Sequence, residues 1–315
     1  FQIIDGIKKA LFYLMKIMPV NIIFDDLDEM EEKLDENDRL IKFLIDLKVI
    51  KPKRQAVTGI KTNPRLIVSL TSYGRRVNLV YYTIISLLRQ TVQPDMVILW
   101  LDSDNWNVGN LPKSLLQLQK YGLSVKFCKD LKSYKKLIPA LEQFPDAMIV
   151  TCDDDIYYRK NMVERLVLAY KNDPTKVYAH RAHWISFNGD GSLQSYNNWL
   201  EEISADEGFR VFPTSGGGTL YTRNLLYKDM CNSELFMKLS PKADDVWNYF
   251  MGFLQNTRNV VLPYKGYIYV PLDVFYQIFH KGSNLSGSNE GQSMNDAQIK
   301  SIMDYYKITD FDLNK

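Results

Sequence analysis

The sequence predicts an α/β fold: a mostly parallel sheet flanked by helices, with a helical extension over residues 1–60. Three observations carry this. From residue 65, apolar strand-like runs alternate with helix-patterned segments in units of about 30 residues, the length of a βαβ crossover. The strand runs are continuously apolar, as strands buried on both faces of a parallel sheet are. Before residue 60, apolar residues recur at helical spacing instead.

In that first part Leu27, Met30, Leu34, Ile41, Leu44 and Ile45 fall three, four or seven apart. Acids cluster early, and Lys48, Lys51, Lys53 and Arg54 late, which suits the helix dipole. Pro52 should end the helix. The plain expectation is a helix packed on the main domain or a partner. The sharper one is peripheral membrane contact or oligomerisation through residues 1–60. The apolar run 10–24 is broken by Lys16 and Pro19, short of the roughly 20 residues a span needs. No small-residue cleavage site follows it, so no signal peptide is expected.

The elements then follow in order. "RLIVSL" (65–70) is a strand, "NLVYYTIISLLRQ" (78–90) a helix and "MVILWL" (96–101) a strand. "PKSLLQLQKYG" (112–122) is a helix closed by Gly122, and "SVKFC" (124–128) a strand. "SYKKLIPALEQF" (133–144) reads as a helix that Pro139 should kink or split. "AMIVT" (147–151) is a strand and "KNMVERLVLAYKN" (160–172) a helix. Later segments are less regular: one or two strands in 176–187, a turn at 189–192 and a glycine loop entering a strand at 212–222. A helix at 242–256, two short strands in 260–270 and a terminal helix at 295–308 complete the chain. Nothing resembling a linker divides 61–315, so it is expected to be one domain.

Composition narrows the function. A net charge of +2 is near balance and gives no support for a nucleic-acid binder that relies on a basic surface. The cysteines Cys128, Cys152 and Cys231 form no paired pattern, which suits a reducing cytosol. Asn284-Leu285-Ser286 fits a glycosylation sequon by chance.

In open parallel sheets, ligands bind beyond the carboxyl ends of the strands. The first strand ends in Thr71-Ser72-Tyr73-Gly74-Arg75-Arg76, the second in Asp102-Ser103-Asp104, the fourth in Asp153-Asp154-Asp155. Three polar clusters on one edge favour a site. Adjacent carboxylates suit a hard cation, Mg²⁺ or Mn²⁺, whose open positions phosphate oxygens fill. An acidic loop before a helix is the plainer alternative. Lys132, Lys135, Lys136, Arg75 and Arg76 share the edge and could neutralise phosphates, or be solvated lysines and arginines. Asp244 and Asp245 open a helix, where they either answer its dipole or supply a general base. Gly216-Gly217-Gly218 permits a close backbone approach or a tight turn. His180 and His183 read as structural, and His280 as a single metal ligand.

These stretches resemble a family. "IVSLTSYGRR" with "TIISLLRQTVQPDMVILWLDSD" is similar to the opening of GT-A-fold (Rossmann-like) glycosyltransferases, especially bacterial family-two-like enzymes. "DLKSYKKLIPAL", "IVTCDDDIYYRKNMVERL", "SGGGTLYTRNLL" and "KADDVW" resemble the segment before the metal motif, the DxD motif, the acceptor-side strand and the ED motif. The resemblance runs in order over roughly 65–280. It implies that Thr71, Ser72, Tyr73 and Asp102 hold the base and ribose. Arg75, Lys136 and Asp154, the middle position, join that nucleotide site. Asp153 contacts ribose or metal-bound water, Asp155 binds Mn²⁺ or Mg²⁺, and His280 completes the metal site. Asp245 is the implied base, with Asp244 where glutamate is usual, so either aspartate is a candidate. Gly216, Gly217, Gly218 and Trp247 belong to the acceptor and donor loop, and Trp184, Trp199 and Trp247 either stack on sugars or, as such residues more often do, pack in the core.

The implied reaction moves a sugar from a nucleotide-diphosphate sugar, UDP the expected nucleotide, to a saccharide or lipid-linked saccharide hydroxyl, with inversion. The implied setting is bacterial surface polysaccharide synthesis, in the cytoplasm or at the inner face of the plasma membrane. Two other readings stand beside it. A nucleotidyltransferase making nucleotide sugars would need a glycine-rich, lysine-bearing first loop, which "TSYGRR" lacks. A non-catalytic saccharide- or nucleotide-sugar-binding protein would keep the fold without turnover.

Overall fold

A computed structural model describes residues 64–78, 80–201, 203–263, 269–271 and 290–314. The N-terminal extension 1–60, with its membrane or oligomerisation role, and His280 lie outside the described residues.

The described chain is α/β, built on a mixed, eight-stranded sheet. Its strands are β1 (Leu66–Thr71), β2 (Met96–Asp102), β3 (Leu123–Cys128), β4 (Met148–Cys152), β6 (Val177–Ala179), β8 (Glu207–Gly208), β10 (Thr219–Tyr221) and β11 (Asn259–Val261). Between these fall β5 (Ile156–Tyr158), β7 (Ala182–Trp184) and β9 (Val211–Pro213), with β12 (Tyr269–Pro271) last. The sheet order is β3-β2-β1-β4-β10-β6-β11-β8, while β5 pairs β12 and β7 pairs β9 in small antiparallel ribbons. The first half, β3-β2-β1-β4, is wholly parallel. Antiparallel β10 then separates it from β6 and β11, which run parallel to each other.

The parallel half follows from composition. Leu66 to Leu70, Val97 to Leu101 and Met148 to Cys152 are buried throughout, so both faces are covered. Ile67, Ile98 and Ile149 face one cluster with Tyr134, Trp247 and Phe250. Strand alternation puts Ser69 and Thr71 on the Ile67 face, and Trp100 and Asp102 on the Ile98 face. The register opposes Thr71 to Trp100. Two bonds lock that corner: Trp100 Nε1 donates to Ser69 Oγ at 3.0 Å, and Thr71 Oγ1 to the Trp100 carbonyl at 2.8 Å.

The helices are α1 (Val80–Leu88), α2 (Lys113–Leu118), α3 (Ile138–Gln143), α4 (Met162–Asn172), α5 (Ser233–Leu239), α6 (Asp244–Leu254), α7 (Glu290–Tyr306) and α8 (Asp310–Leu313). The helix expected over 133–144 is split. A 3-10 turn, Lys132–Lys136, ends at Leu137 (φ −122, ψ −50), and α3 carries Pro139 in its first turn. Proline is tolerated there because it needs no N–H, but in a continuous helix it could not bond the Lys135 carbonyl and its ring would clash with it. Gly122 does close its helix, in the left-handed region at φ 113. The terminal helix starts at Glu290, five residues earlier than its apolar pattern suggests. Strand β5, directly after the aspartates, has no counterpart in the sequence reading.

Candidate active site

A cavity of about 850 Å³ opens beyond the carboxyl ends of β1, β2 and β4, within the size range of ligand pockets. One wall is Thr71 to Gly74 with Arg76, another Asp102 with Asn105 and Trp106, and a third Asp153 to Asp155. The 3-10 turn brings Lys132, Lys135 and Lys136, and the start of α6 brings Lys242, Asp244 and Asp245. The three polar strand ends therefore meet, as their common edge predicts.

Each adjacent aspartate has its own partner. Asp153 accepts from Lys136 Nζ at 2.8 Å. Its backbone N–H donates to the Tyr158 hydroxyl at 2.8 Å, and that hydroxyl donates to the Gly216 carbonyl at 2.7 Å. Burial pushes the Asp153 carboxyl up, but Lys136, with Arg76 and Arg181, brings it below its usual value. Asp154 turns into the protein. Ser72 Oγ donates to it at 2.5 Å, Arg76 Nη2 lies 2.6 Å away, and Thr83 Oγ1 donates to its carbonyl at 2.9 Å. Burial lifts the Asp154 carboxyl to about 6 against the pull of Arg76 and Ser72. Asp155 pairs with the same Nη2 of Arg76.

Lys136 joins the two acidic clusters, lying 2.8 Å from Asp153 and 3.1 Å from Asp244 Oδ2. Burial opposes its charge, yet Asp153, Asp244 and Asp245 hold its pKa well above the ordinary value. The turn before α6 is held by buried polar groups. Tyr134 Oη donates to the Ser240 carbonyl at 2.6 Å, and Ser240 Oγ to the Ala243 carbonyl at 2.8 Å. From α7, Gln298 Oε1 accepts the Lys242 N–H at 2.8 Å. Asp245 accepts from both the backbone and the hydroxyl of Ser215. Burial, then the neighbouring Asp244, lifts the Asp245 carboxyl to about 6 against Lys136. That range suits a base working near neutrality.

Other predicted residues fall in varied places. Tyr73 lines the mouth with its ring 60% exposed and the Arg76 guanidinium 5.4 Å from its centroid. The Thr71 and Ser72 hydroxyls are engaged with protein acceptors, as noted. Asp102 is buried, accepting from Asn105 N at 2.9 Å and Nδ2 at 2.7 Å. The side chain of Arg75 lies outside the described residues. Gly216, Gly217 and Gly218 are buried and do not line the cavity; Gly216 stands against Asp153, Gly217 against Arg181 and Gly218 against Met162. A Cβ at Gly216 would lie 2.8 Å from Asp153 Oδ2, and Gly218 sits at φ +93.

Trp247 does not reach the ligand space: of the two readings, stacking and core, the structure shows core. It is 0% exposed, its Nε1 donates to the Met230 carbonyl at 3.1 Å, and its ring meets Phe236 and Tyr306. Trp199 is likewise buried, against Tyr196 and Phe212, and Trp184 packs under Arg210. His180 is structural as expected: its Nε2 lies 2.9 Å from the Met162 carbonyl, and burial lowers its pKa to about 4. His183 is also buried, beside Tyr196. Among the described residues no group of three or more His, Cys, Asp or Glu forms a ready metal cluster. No described helix is long and apolar enough to cross a membrane.

Sequence reasoning missed Ser215, Tyr158, Asp130 and Trp106. Asp130 follows the end of β3 and pairs with Lys135, so the strand-end rule could have found it. Ser215 precedes the glycine triplet, but nothing local links it to Asp245.

No family model and no curated protein matches the chain. Among solved structures, a 1–349 fragment of S. aureus TarS in complex with UDP is similar at 14% identity and a TM-score of 0.43, over 78% of this chain and 72% of that one. A longer S. aureus TarS structure gives 17% and 0.44, over 78% of this chain and 44% of that one. A CMP:2-keto-3-deoxy-manno-octonic acid synthetase complexed with CTP gives 11% and 0.39, over 68% and 95%. Likenesses of this strength assign no activity.

Proposed function

We propose that the chain is a GT-A-type inverting glycosyltransferase. It moves a sugar from a nucleotide-diphosphate sugar, with UDP the expected nucleotide, to a saccharide or lipid-linked acceptor hydroxyl. One observation carries the reading: a single cavity has Asp153 and Asp155 on one wall and Asp245, lifted to about 6, on the other. Donor activation and acceptor deprotonation can then occur in one space.

The residues present fit a hard divalent cation. The side chains of Asp153 and Asp155 are 35% and 34% exposed, while Asp154 is closed at 6%. Two accessible carboxylates leave positions for water and phosphate oxygens. Held by Asp153 and Asp155, Mn²⁺ or Mg²⁺ would supply charge neutralisation for the leaving diphosphate. Lys132, Lys135 and Arg76 add cationic groups to the same cavity. The exposed Tyr73 ring offers an apolar platform for the base. Asp245, fixed by Ser215, takes the proton from the acceptor hydroxyl as that oxygen attacks the anomeric carbon. In a bacterium this chemistry would build surface polysaccharide at the cytoplasmic side of the membrane, with residues 1–60 the candidate membrane contact.

Isothermal titration of the full chain with UDP and UDP-sugars, with and without Mn²⁺, tests the reading, together with a transfer assay. Metal-dependent UDP binding with turnover supports it. Absence of metal-dependent nucleotide binding sinks it. Binding without turnover across donors and acceptors points to the non-catalytic alternative. Nucleotide-sugar synthesis from a nucleoside triphosphate points to a nucleotidyltransferase.

A further inference from the structure

We propose that Arg76 is a resident counter-ion of Asp154 and Asp155. A divalent cation displaces it from Asp155 only when it arrives together with a nucleotide diphosphate. The inference rests on the function proposed above and gives Asp154 and Arg76 distinct parts in it.

The geometry divides the arginine's two contacts into an anchor and an exchangeable arm. A single nitrogen, Nη2, serves both carboxylates. The Asp154 contact is buried: that side chain is 6% exposed, and Ser72 Oγ and Thr83 Oγ1 fix its carboxyl and its carbonyl. The Asp155 contact is open to the cavity, with Asp155 34% and Arg76 22% exposed. Breaking the first would strand a buried carboxylate, whereas breaking the second would not. Arg76 should therefore stay on Asp154 and yield Asp155.

Charge then sets the order of events. Lys136 is already divided between Asp153 and Asp244, so it cannot serve Asp155. An incoming dication must take Asp155 from Arg76 and then sit beside a guanidinium, which is repulsive in a partly buried site. Phosphate oxygens between the two cations remove the repulsion. They also accept the guanidinium N–H groups that Asp155 has released. Metal and diphosphate thus favour each other's binding, and the coupling is reciprocal.

Mn²⁺ binding, read from the electron paramagnetic resonance signal of the free ion, tests this on the full chain without any turnover. In the wild type, saturating UDP should tighten Mn²⁺ binding at least about tenfold. Arg76→Ala should tighten nucleotide-free Mn²⁺ binding by about tenfold and remove most of the gain from UDP, while Arg76→Lys keeps the wild-type pattern. Arg76→Ala leaves Asp154 without its counter-ion, so the double variant R76A/D154N repeats the measurement with no orphaned charge. Unchanged or weaker nucleotide-free Mn²⁺ binding in the folded variants overturns the inference. So does a wild type that binds Mn²⁺ equally well without UDP. No Mn²⁺ binding even with UDP would overturn the proposed function as well. Mn²⁺ binding that depends on UDP, with no response to Arg76, would leave that function standing and remove only this inference.

Discussion

Ser215 donates to Asp245 twice, from its backbone N–H at 3.1 Å and from its hydroxyl. Both bonds fall on Oδ1, which assigns proton uptake to Oδ2. Hydrogen bonds to the charged form hold a carboxyl pKa down, and here they oppose burial and Asp244. Transfer activity should therefore rise with pH through about 6, as Asp245 ionises. Ser215→Ala removes the hydroxyl bond and keeps the backbone one. Its acid limb should move to higher pH by roughly half to one unit. A pH profile of kcat/KM checks this, and an unmoved limb would show that the hydroxyl does not tune the base.

Asp245→Asn should separate function from stability. Removing a general base should lower kcat by at least about a hundredfold, while donor affinity stays within about a factor of two. The fold should gain stability. A carboxyl with folded pKa near 6 and an ordinary value of 3.8 is favoured in its protonated form by folding. The cost of ionising it is absent below pH 3.8 and complete above about 6. The gain should therefore be present at neutral pH and absent in acid. Thermal melts should show the variant above wild type at pH 7, with the gap closing toward pH 4. A gap independent of pH would contradict this origin.

What the sequence revealed was position; what it concealed was partnership. Thr71, Asp102 and Asp153 to Asp155 were legible because apolar runs locate strands and strand ends locate ligands. Their partners were not. The Asp153–Lys136–Asp244 bridge spans three elements, and no local pattern encodes it. Trp247 was read as either a sugar platform or core; it lies two positions after Asp245 in the chain, but the helix carries its ring into the core. The glycine triplet was read as a close approach to a ligand or a tight turn; the structure shows the turn, a 3-10 turn over Ser215–Gly217 with Gly218 at φ 93, crowded by Asp153 and Arg181. Pro139 announced the split helix, but not that the freed 3-10 turn would deliver Lys135 and Lys136 to the cavity.

Lys136→Met should be the most damaging charge substitution in the site. The ammonium is 6% exposed and neutralises Asp153 and Asp244 together. Removing one partner of a buried ion pair costs about 3–5 kcal/mol, because the other charge stays unpaired. The loss should depend on pH. Asp153 is held below 3.8 in the fold, so its ionised form adds stability above that value and loses it as pH falls through the depressed one. Denaturant titrations should show a large loss at pH 7 and a smaller one near pH 3. An equal loss at both would mean that lost packing, not lost charge, is responsible.

Two neighbouring glycines should respond oppositely to the same change. An alanine methyl at Gly216 would lie 2.8 Å from Asp153 Oδ2, the movable end of a side chain. A small rotation of that carboxylate relieves the contact; it keeps the ion pair with Lys136 but lengthens the 2.8 Å bond and shifts the expected metal ligand. Gly216→Ala should thus cost under about 1 kcal/mol in stability yet weaken Mn²⁺-dependent UDP binding at least about tenfold. At Gly217 the methyl would meet Arg181 Cβ at 2.5 Å and its backbone nitrogen at 3.0 Å. Backbone cannot swing aside, so Gly217→Ala should destabilise the fold by about 1–3 kcal/mol. Melting curves and UDP titrations on the two variants separate the cases. Wild-type UDP affinity in Gly216→Ala would mean that the orientation of Asp153 does not matter for nucleotide binding, and the donor wall would then rest on Asp155 alone.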